Sequence, residues 1–273
     1  VKTVIFAGGF GTRLQEETTT RPKPMVEIGD QPILWHVMKH YQHYGVDEFL
    51  IACGYMGDFI KSYFLDKHNL NGNLRIDFSR GMVQRAEAES EDWTVNLIDT
   101  GLSTNTGGRL LRLKEWLKDE TFLLTYGDGV SNVNIAELVE FHKAQGKIAT
   151  ISAVRPPARF GGLVLEDNAV TQFTEKPISG EGWINGGFMV LEPGIFDYLT
   201  GDPCSLESNA LEQVAADGQL AAYRHPDFWQ CMDTLRDKQY LQRLWDAGDA
   251  PWKSWGADEC EARLRLVPQK RAA

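Results

Sequence analysis

The sequence predicts an α/β fold, a mostly parallel mixed sheet with helices on both faces, followed by a smaller sheet-rich half. Three observations carry this expectation. Short apolar, β-branched runs alternate with helix-period stretches through the first 154 residues. Two of these runs stop directly in glycines, at Gly8-Gly9 and at Gly127-Asp128-Gly129. After Pro156-Pro157 the texture changes to short strands and turns containing Gly161, Gly162, Gly180 and Gly182.

Residues 2–7 read as a buried strand running into a tight turn. Asp30 can cap and Pro32 can open a helix with Ile33, Leu34, Val37, Met38 and Tyr41 on one face, closed by Gly45. Residues 48–53 are strand-like, 58–64 helical, and 74–78 and 93–98 strand-like. An amphipathic helix over 108–117 turns Leu110, Leu113 and Leu117 inward. A fully buried strand at 121–126 precedes a helix over 135–145 and a strand at 148–154. A further strand fits 187–191, and a last helix fits 234–245 with Leu235, Leu241 and Leu244 as its stripe. Residues 256–273 are poorly patterned and read as an extended tail.

Composition narrows the function. With 273 residues, 42% of them hydrophobic, the chain has material for one large core or two intimate ones. Its formal net charge of −10 is the wrong sign for a surface that must attract nucleic acid, so any phosphate ligand has to meet a local basic site. Cys53, Cys204, Cys231 and Cys260 are widely spaced, without a C-x-x-C, which suits a reducing cytoplasm and suggests neither a zinc cluster nor a disulfide framework. The opening apolar run is too brief for a signal peptide, and no stretch approaches the ~18 apolar residues of a membrane span.

The segment Phe6-Ala7-Gly8-Gly9-Phe10-Gly11-Thr12-Arg13 leaves the first strand at its carboxyl end, where parallel α/β sheets place ligands. Its glycines let backbone N–H groups approach phosphate oxygens, although a glycine-rich turn without a ligand reads the same way. Leu14 stands where a dinucleotide fingerprint needs its third glycine, and Arg13 stands where a P-loop needs G-K-[ST]. A nicotinamide oxidoreductase and a P-loop kinase are both disfavoured. Arg13 and the cluster Arg21-Pro22-Lys23-Pro24 put cations beside the loop, with the prolines holding Lys23 extended.

Asp128 ends another buried run between two glycines, which suits a magnesium ion held by one or two carboxylates plus water and phosphate, or an Asx turn. Asp233 lies directly before the last helix, where the default reading is an N-cap. His36, His40, His43 and His142 fall in helical stretches as packing or surface residues. Trp245, Trp252 and Trp255 read either as an oligomer contact or as docking of the last helix onto the core.

In order along the chain, Gly8-Gly9-x-Gly11-Thr12-Arg13, Arg21-Pro22-Lys23-Pro24, Gly127-Asp128, Glu175-Lys176-Pro177 and Asn185-Gly186-Gly187-Phe188 strongly resemble the sugar-1-phosphate nucleotidylyltransferases, from residue 1 to about 255. Stretches such as Thr106-Gly107-Gly108-Arg109 and Met232-Asp233-Thr234-Leu235-Arg236-Asp237 are most similar to the branch that uses CTP and glucose 1-phosphate. The resemblance implies a Rossmann-like core, with residues 1–225 divided into a nucleotide half to about 155 and a sugar-binding half at 156–225. Residues 226–255 then carry a metal-ligand loop and the last helix. It also implies Mg2+ dependence and a homo-oligomer, commonly a hexamer.

Carried over position by position, the resemblance makes 6–13 the nucleotide loop, with Thr104, Arg109 and Gly127 beside it. Arg13, Lys23 and Asp128 become the catalytic groups, and Asp128 and Asp233 the metal ligands. Glu175, Lys176, Asn185 and Gly186 become the holders of the sugar phosphate. Cys231 departs from the family pattern, where proline is expected. A uridylyl- or thymidylyltransferase, or a nucleotide-sensing paralogue without turnover, stays open.

Overall fold

The computed structural model describes residues 1–85, 91–156, 162–166, 169–174 and 182–256. Seven strands form one sheet: β1 (Lys2–Ala7), β2 (Glu48–Cys53), β3 (Thr94–Asp99), β4 (Phe122–Tyr126), β5 (Ala149–Val154), β6 (Ile184–Leu191) and β7 (Leu220–His225). Their spatial order is β7-β5-β6-β4-β1-β2-β3. β1 lies parallel between β2 and β4, β3 is parallel to β2, and β7 is parallel to β5, while β6 runs against both β4 and β5. This is the mostly parallel mixed sheet the sequence predicts.

Successive residues of a strand face opposite sides, so a strand covered on both faces must be apolar throughout. In β1, Ile5 and Ala7 enter one core while Val4 and Phe6 enter the other. The first core is closed by α1 (Ile33–His43), α2 (Gly57–Leu70), α4 (Ile135–Gln145) and α5 (Leu235–Asp246), through residues such as Val37, Ile60, Leu138 and Leu241. The second is closed by α3 (Thr106–Arg112) through Leu110, and by Leu113 and Leu117 just beyond it.

Several boundaries differ for local reasons. Asp30 does not cap α1, which starts at Ile33 after an extended Pro32 with no side-chain cap. The helix expected at 108–117 breaks at Leu113 into α3 and a four-residue turn, Lys114–Leu117, yet all three leucines stay buried. α2 runs six residues past the expected end. The strand at 74–78 is one arm of a hairpin, Leu74–Asp77 with Met82–Arg85, outside the main sheet. β6 begins at Ile184 because Ile184 pairs with Val154 of β5.

The tryptophans dock the end of the chain onto the core. Trp252 is fully buried, and its Nε1 donates to His36 Nδ1 at 3.3 Å, while the Trp245 ring stands edge-on to His36 at 4.6 Å. His36, His40 and His142 are buried packing residues. The tail expected over 256–273 lies outside the described residues from 257 onward.

Candidate active site

β1 and β4 are parallel neighbours, so the loops that follow them leave the same edge of the sheet. After Ala7 the chain crosses Gly11 in the left-handed region (φ 63°), a conformation glycine adopts without steric cost. Its carbonyl then accepts from Leu14 N at 3.0 Å and Thr18 Oγ1 at 3.0 Å, which fixes the bend.

Gly8 is needed for a different reason. A Cβ there would lie 2.3 Å from Arg109 Nη1, and one on Gly54 would lie 2.4 Å from the same atom. The buried guanidinium fills that space and donates to Gly8 O (3.1 Å), Cys53 O (3.2 Å), Thr100 Oγ1 (2.7 Å), Gly101 O (2.8 Å) and Leu102 O (3.4 Å). Arg109 thereby binds together the ends of β1, β2 and β3.

These loops wall a cavity of about 590 Å³. Phe6, Ala7, Gly8, Gly9, Phe10, Gly11, Thr12, Arg13, Lys23, Thr104, Arg109, Asp128 and Asp233 all line it. Gly127 sits just behind, its N–H donating to Phe6 O at 3.0 Å, so it spaces β4 from β1 instead of lining the cavity.

Asp128 and Asp233 are 105 residues apart in sequence and adjacent in space. A short antiparallel ribbon joins them: Gly129–Ser131 pairs with Trp229–Cys231, and Met232 N donates to Asp128 O at 2.8 Å. Asp233 is not the helix cap. Thr234 is the N-cap of α5, in a reciprocal capping box with Asp237, and Asp237 Oδ2 also accepts from Asp233 N at 3.1 Å. The Asp233 carboxylate is therefore free to face the cavity.

Lys23 stands between the two acids. Its Nζ donates to Asp128 Oδ2 at 2.6 Å and to Asp233 Oδ1 at 2.5 Å, and Arg13 Nη1 reaches Asp233 Oδ2 at 3.2 Å. Burial pulls the Lys23 pKa down, but the charges and hydrogen bonds of Asp128 and Asp233 outweigh it and hold the pKa above the ordinary lysine value. For Asp233, burial raises the pKa and the Lys23 and Arg13 cations overcome it, so the carboxylate sits below the usual range. Burial and then Asp233 push the Cys231 thiol up to about 12, which leaves it neutral 3.7 Å from Asp233 Oδ2.

The acidic pair fits a hard divalent cation by charge, by oxygen chemistry and by proximity, since both carboxylates already reach one nitrogen. Among the described residues no three His, Cys, Asp or Glu side chains converge on a metal centre, so phosphate and water oxygens would have to complete the shell.

Sequence reasoning missed Tyr126 and Glu207. The Tyr126 ring lines the cavity, and its hydroxyl donates to Glu207 Oε1; Glu207 Oε2 in turn accepts from Thr106 Oγ1 at 2.6 Å and Ser205 Oγ at 2.9 Å. Burial and then the Glu207 charge push the Tyr126 pKa up, so the phenol keeps its proton. Glu207 lies on a π-helical turn, Leu206–Leu211, and nothing in its sequence neighbourhood marks it. Asn185 and Gly186 follow Ile184 at the start of β6, with Asn185 Oδ1 accepting from Gly187 N at 2.9 Å and Gly186 O accepting from Trp229 Nε1 at 2.7 Å; neither lines the cavity. Glu175 and Lys176 lie outside the described residues.

A glycine loop, a lysine and two convergent acids on one rim of a parallel sheet define a site for handling phosphates, and residues 2–238 match the family model described as nucleotidyl transferase. The chain belongs to that family. It is similar to glucose-1-phosphate cytidylyltransferase of Salmonella typhi, with 49% identity over 93% of this chain and 100% of that one. It is similar also to a probable glucose-1-phosphate cytidylyltransferase of Bacillus subtilis, at 44% over the same shares. Among solved structures, HddC from Yersinia pseudotuberculosis superposes with a TM-score of 0.66 at 23% identity, covering 89% of this chain and 99% of that one. UDP-glucose pyrophosphorylase complexed with UDP-glucose superposes at 0.62 and 17%, covering 90% and 98%. At those identities the solved structures speak for the Rossmann-like fold alone.

Proposed function

We propose that the protein transfers a cytidylyl group from CTP to α-D-glucose 1-phosphate, releasing pyrophosphate and forming CDP-glucose. The observation that carries this reading is the convergence of Lys23, Asp128 and Asp233 at the mouth of the glycine-loop cavity. Relatives at 44–49% identity over nearly the whole chain supply the choice of CTP and glucose 1-phosphate.

A phosphate oxygen of glucose 1-phosphate attacks the α-phosphorus of CTP, and the bond from that phosphorus to the pyrophosphate oxygen breaks. The nucleophile is already ionised, so no base has to activate it; alignment and charge neutralisation remain. The loop of residues 6–13 presents N–H groups to the triphosphate, and Arg13 and Lys23 offset charge on its phosphoryl oxygens. Asp128 and Asp233 would hold Mg2+, which would supply neutralisation of phosphate charge. Thr104 and Arg109 frame the nucleotide, Arg109 by fixing Gly8.

In this reading the nucleotide belongs to the half ending near residue 155. The sugar phosphate belongs to residues 156–225, held by Glu175, Lys176, Asn185 and Gly186. The exposed apolar side chains of the hairpin, Ile76, Phe78, Met82 and Val83, support a homo-oligomer, for which we take the hexamer as the working state. Free Cys53, Cys204 and Cys231 support a cytoplasmic setting, and no helix among the described residues is long and apolar enough to cross a membrane.

Pyrophosphate release measured with CTP, UTP, dTTP, ATP and GTP against glucose 1-phosphate tests the reading. CTP should give the highest kcat/KM by at least about tenfold, the scale of a few hydrogen bonds to one base. Equal or faster turnover with UTP or dTTP would reassign the base, and no turnover with any of the five would leave a nucleotide-sensing protein.

A further inference from the structure

The distances around Lys23 have a consequence for the order of events in the site. Asp128 Oδ2 and Asp233 Oδ1 both point at Lys23 Nζ, at 2.6 and 2.5 Å, and these two carboxylates are the ones that would hold the divalent ion of the proposed function. One seat between two carboxylates cannot contain an ammonium nitrogen and a metal ion together: they would overlap, and their positive charges would repel at contact in a partly desolvated pocket. We infer that the Lys23 ammonium is the resident cation of the seat before substrates arrive, and that metal binding and lysine release are one exchange.

The construction of Lys23 suits such an exchange. Its backbone opens a 3-10 turn, Lys23–Met25, between Pro22 and Pro24, and its Cβ lies 3.2 Å from where a Cβ on Gly11 would stand. The base of the side chain is thus held against the glycine loop, while the four-carbon stem can still carry the charge from the acids to the loop side of the cavity. There the loop of residues 6–13 would place the triphosphate. Until metal arrives, the ammonium compensates a carboxylate pair that would otherwise repel within the fold. When it arrives, the displaced ammonium is left beside the nucleotide loop. Lys23 would then, together with Arg13, balance the two carboxylates of the empty site, and would supply phosphate neutralisation in the loaded site.

The inference rests on the reading of Asp128 and Asp233 as metal ligands, and its test uses the metal alone. In the full chain, Mn2+ titrated without nucleotide and followed by the EPR signal of the free ion should bind Lys23→Met at least about tenfold more tightly than wild type. A seat filled by its own lysine nine-tenths of the time lowers apparent affinity by that factor. Adding Asp233→Asn to Lys23→Met should erase the gain. Affinity in Lys23→Met equal to or below wild type, no Mn2+ uptake at all, or a gain that survives Asp233→Asn would overturn the exchange.

Should Lys23→Met not fold, the wild-type protein labelled at lysine 13Cε decides. Mg2+ alone should shift the one resonance that is missing from Lys23→Arg, and an unmoved resonance at Mg2+ concentrations that displace bound Mn2+ would overturn the inference. A changed base preference in the pyrophosphate assay leaves the exchange standing, so the two proposals fail separately.

Discussion

His40 shows how a residue outside the chemistry supports it. It is buried on α1, its Nε2 donates to Val133 O at 2.9 Å, and Nδ1 meets Ser254 Oγ at 3.1 Å. It therefore ties the chain just after the ribbon strand Gly129–Ser131 to the C-terminal segment. Burial lowers its pKa from 6.5 to about 4, and His36 likewise to about 4. Both rings stay neutral when folded, so the stability they contribute is fully present above about pH 6.5. It is lost as pH falls from there toward 4, because the unfolded chain takes up the protons first. Each ring adds a slope of about 1.4 kcal/mol per pH unit in that window. Urea unfolding at pH 7.0 and 5.0 should show a smaller loss for His40→Gln than for wild type, and equal losses would remove His40 from the acid limb. The helical placement of these histidines was legible in the sequence, which left packing and surface both open; their burial is settled only by what α1 packs against. The use of Arg109 to bind strand ends together was not legible, because five acceptors from three chain segments converge only after the sheet forms.

The strands of the sheet are legible as elements because burial on both faces demands continuous apolar runs, as in Phe122-Leu123-Leu124. The ribbon that joins the two acids is not. Trp229-Gln230-Cys231 is too short for a period, and its partner Gly129-Val130-Ser131 follows a turn. Asp233 read as a cap because aspartate is a good one; Thr234 takes that role, and Asp237 fixes both. Without the family resemblance, the sequence would have left Asp233 a capping residue. Thr234→Ala should lower stability by about 1 kcal/mol, the usual cost of a lost cap, with turnover within about twofold of wild type. Asp237→Ala removes the acceptor of Asp233 N as well, and should lower turnover by about tenfold or more through misplacement of the carboxylate. Denaturant midpoints and pyrophosphate release distinguish the two; unchanged turnover in Asp237→Ala would show that Asp233 needs no such support.

At the scale of the whole molecule, the proposed function has a chain of net charge −10 meet two anionic substrates through Arg13 and Lys23, gathered where β1 and β4 end. The sheet brings the glycine loop and Asp128 to one edge, and the return of the chain through β7 and the ribbon adds Asp233 from 105 residues away. Sequence spacing exposes the first of these placements, since both loops follow buried strands. The second depends on strand order, which no local pattern encodes. The central claim is that catalysis here is neutralisation of phosphate charge by this cluster, with no protein nucleophile or base. Steady-state pyrophosphate release by Asp128→Asn, at saturating magnesium and with the fold intact by circular dichroism, tests it most directly. The account predicts a fall in kcat of at least about 100-fold, the scale of losing one preorganised electrostatic group, and turnover close to wild type would contradict it.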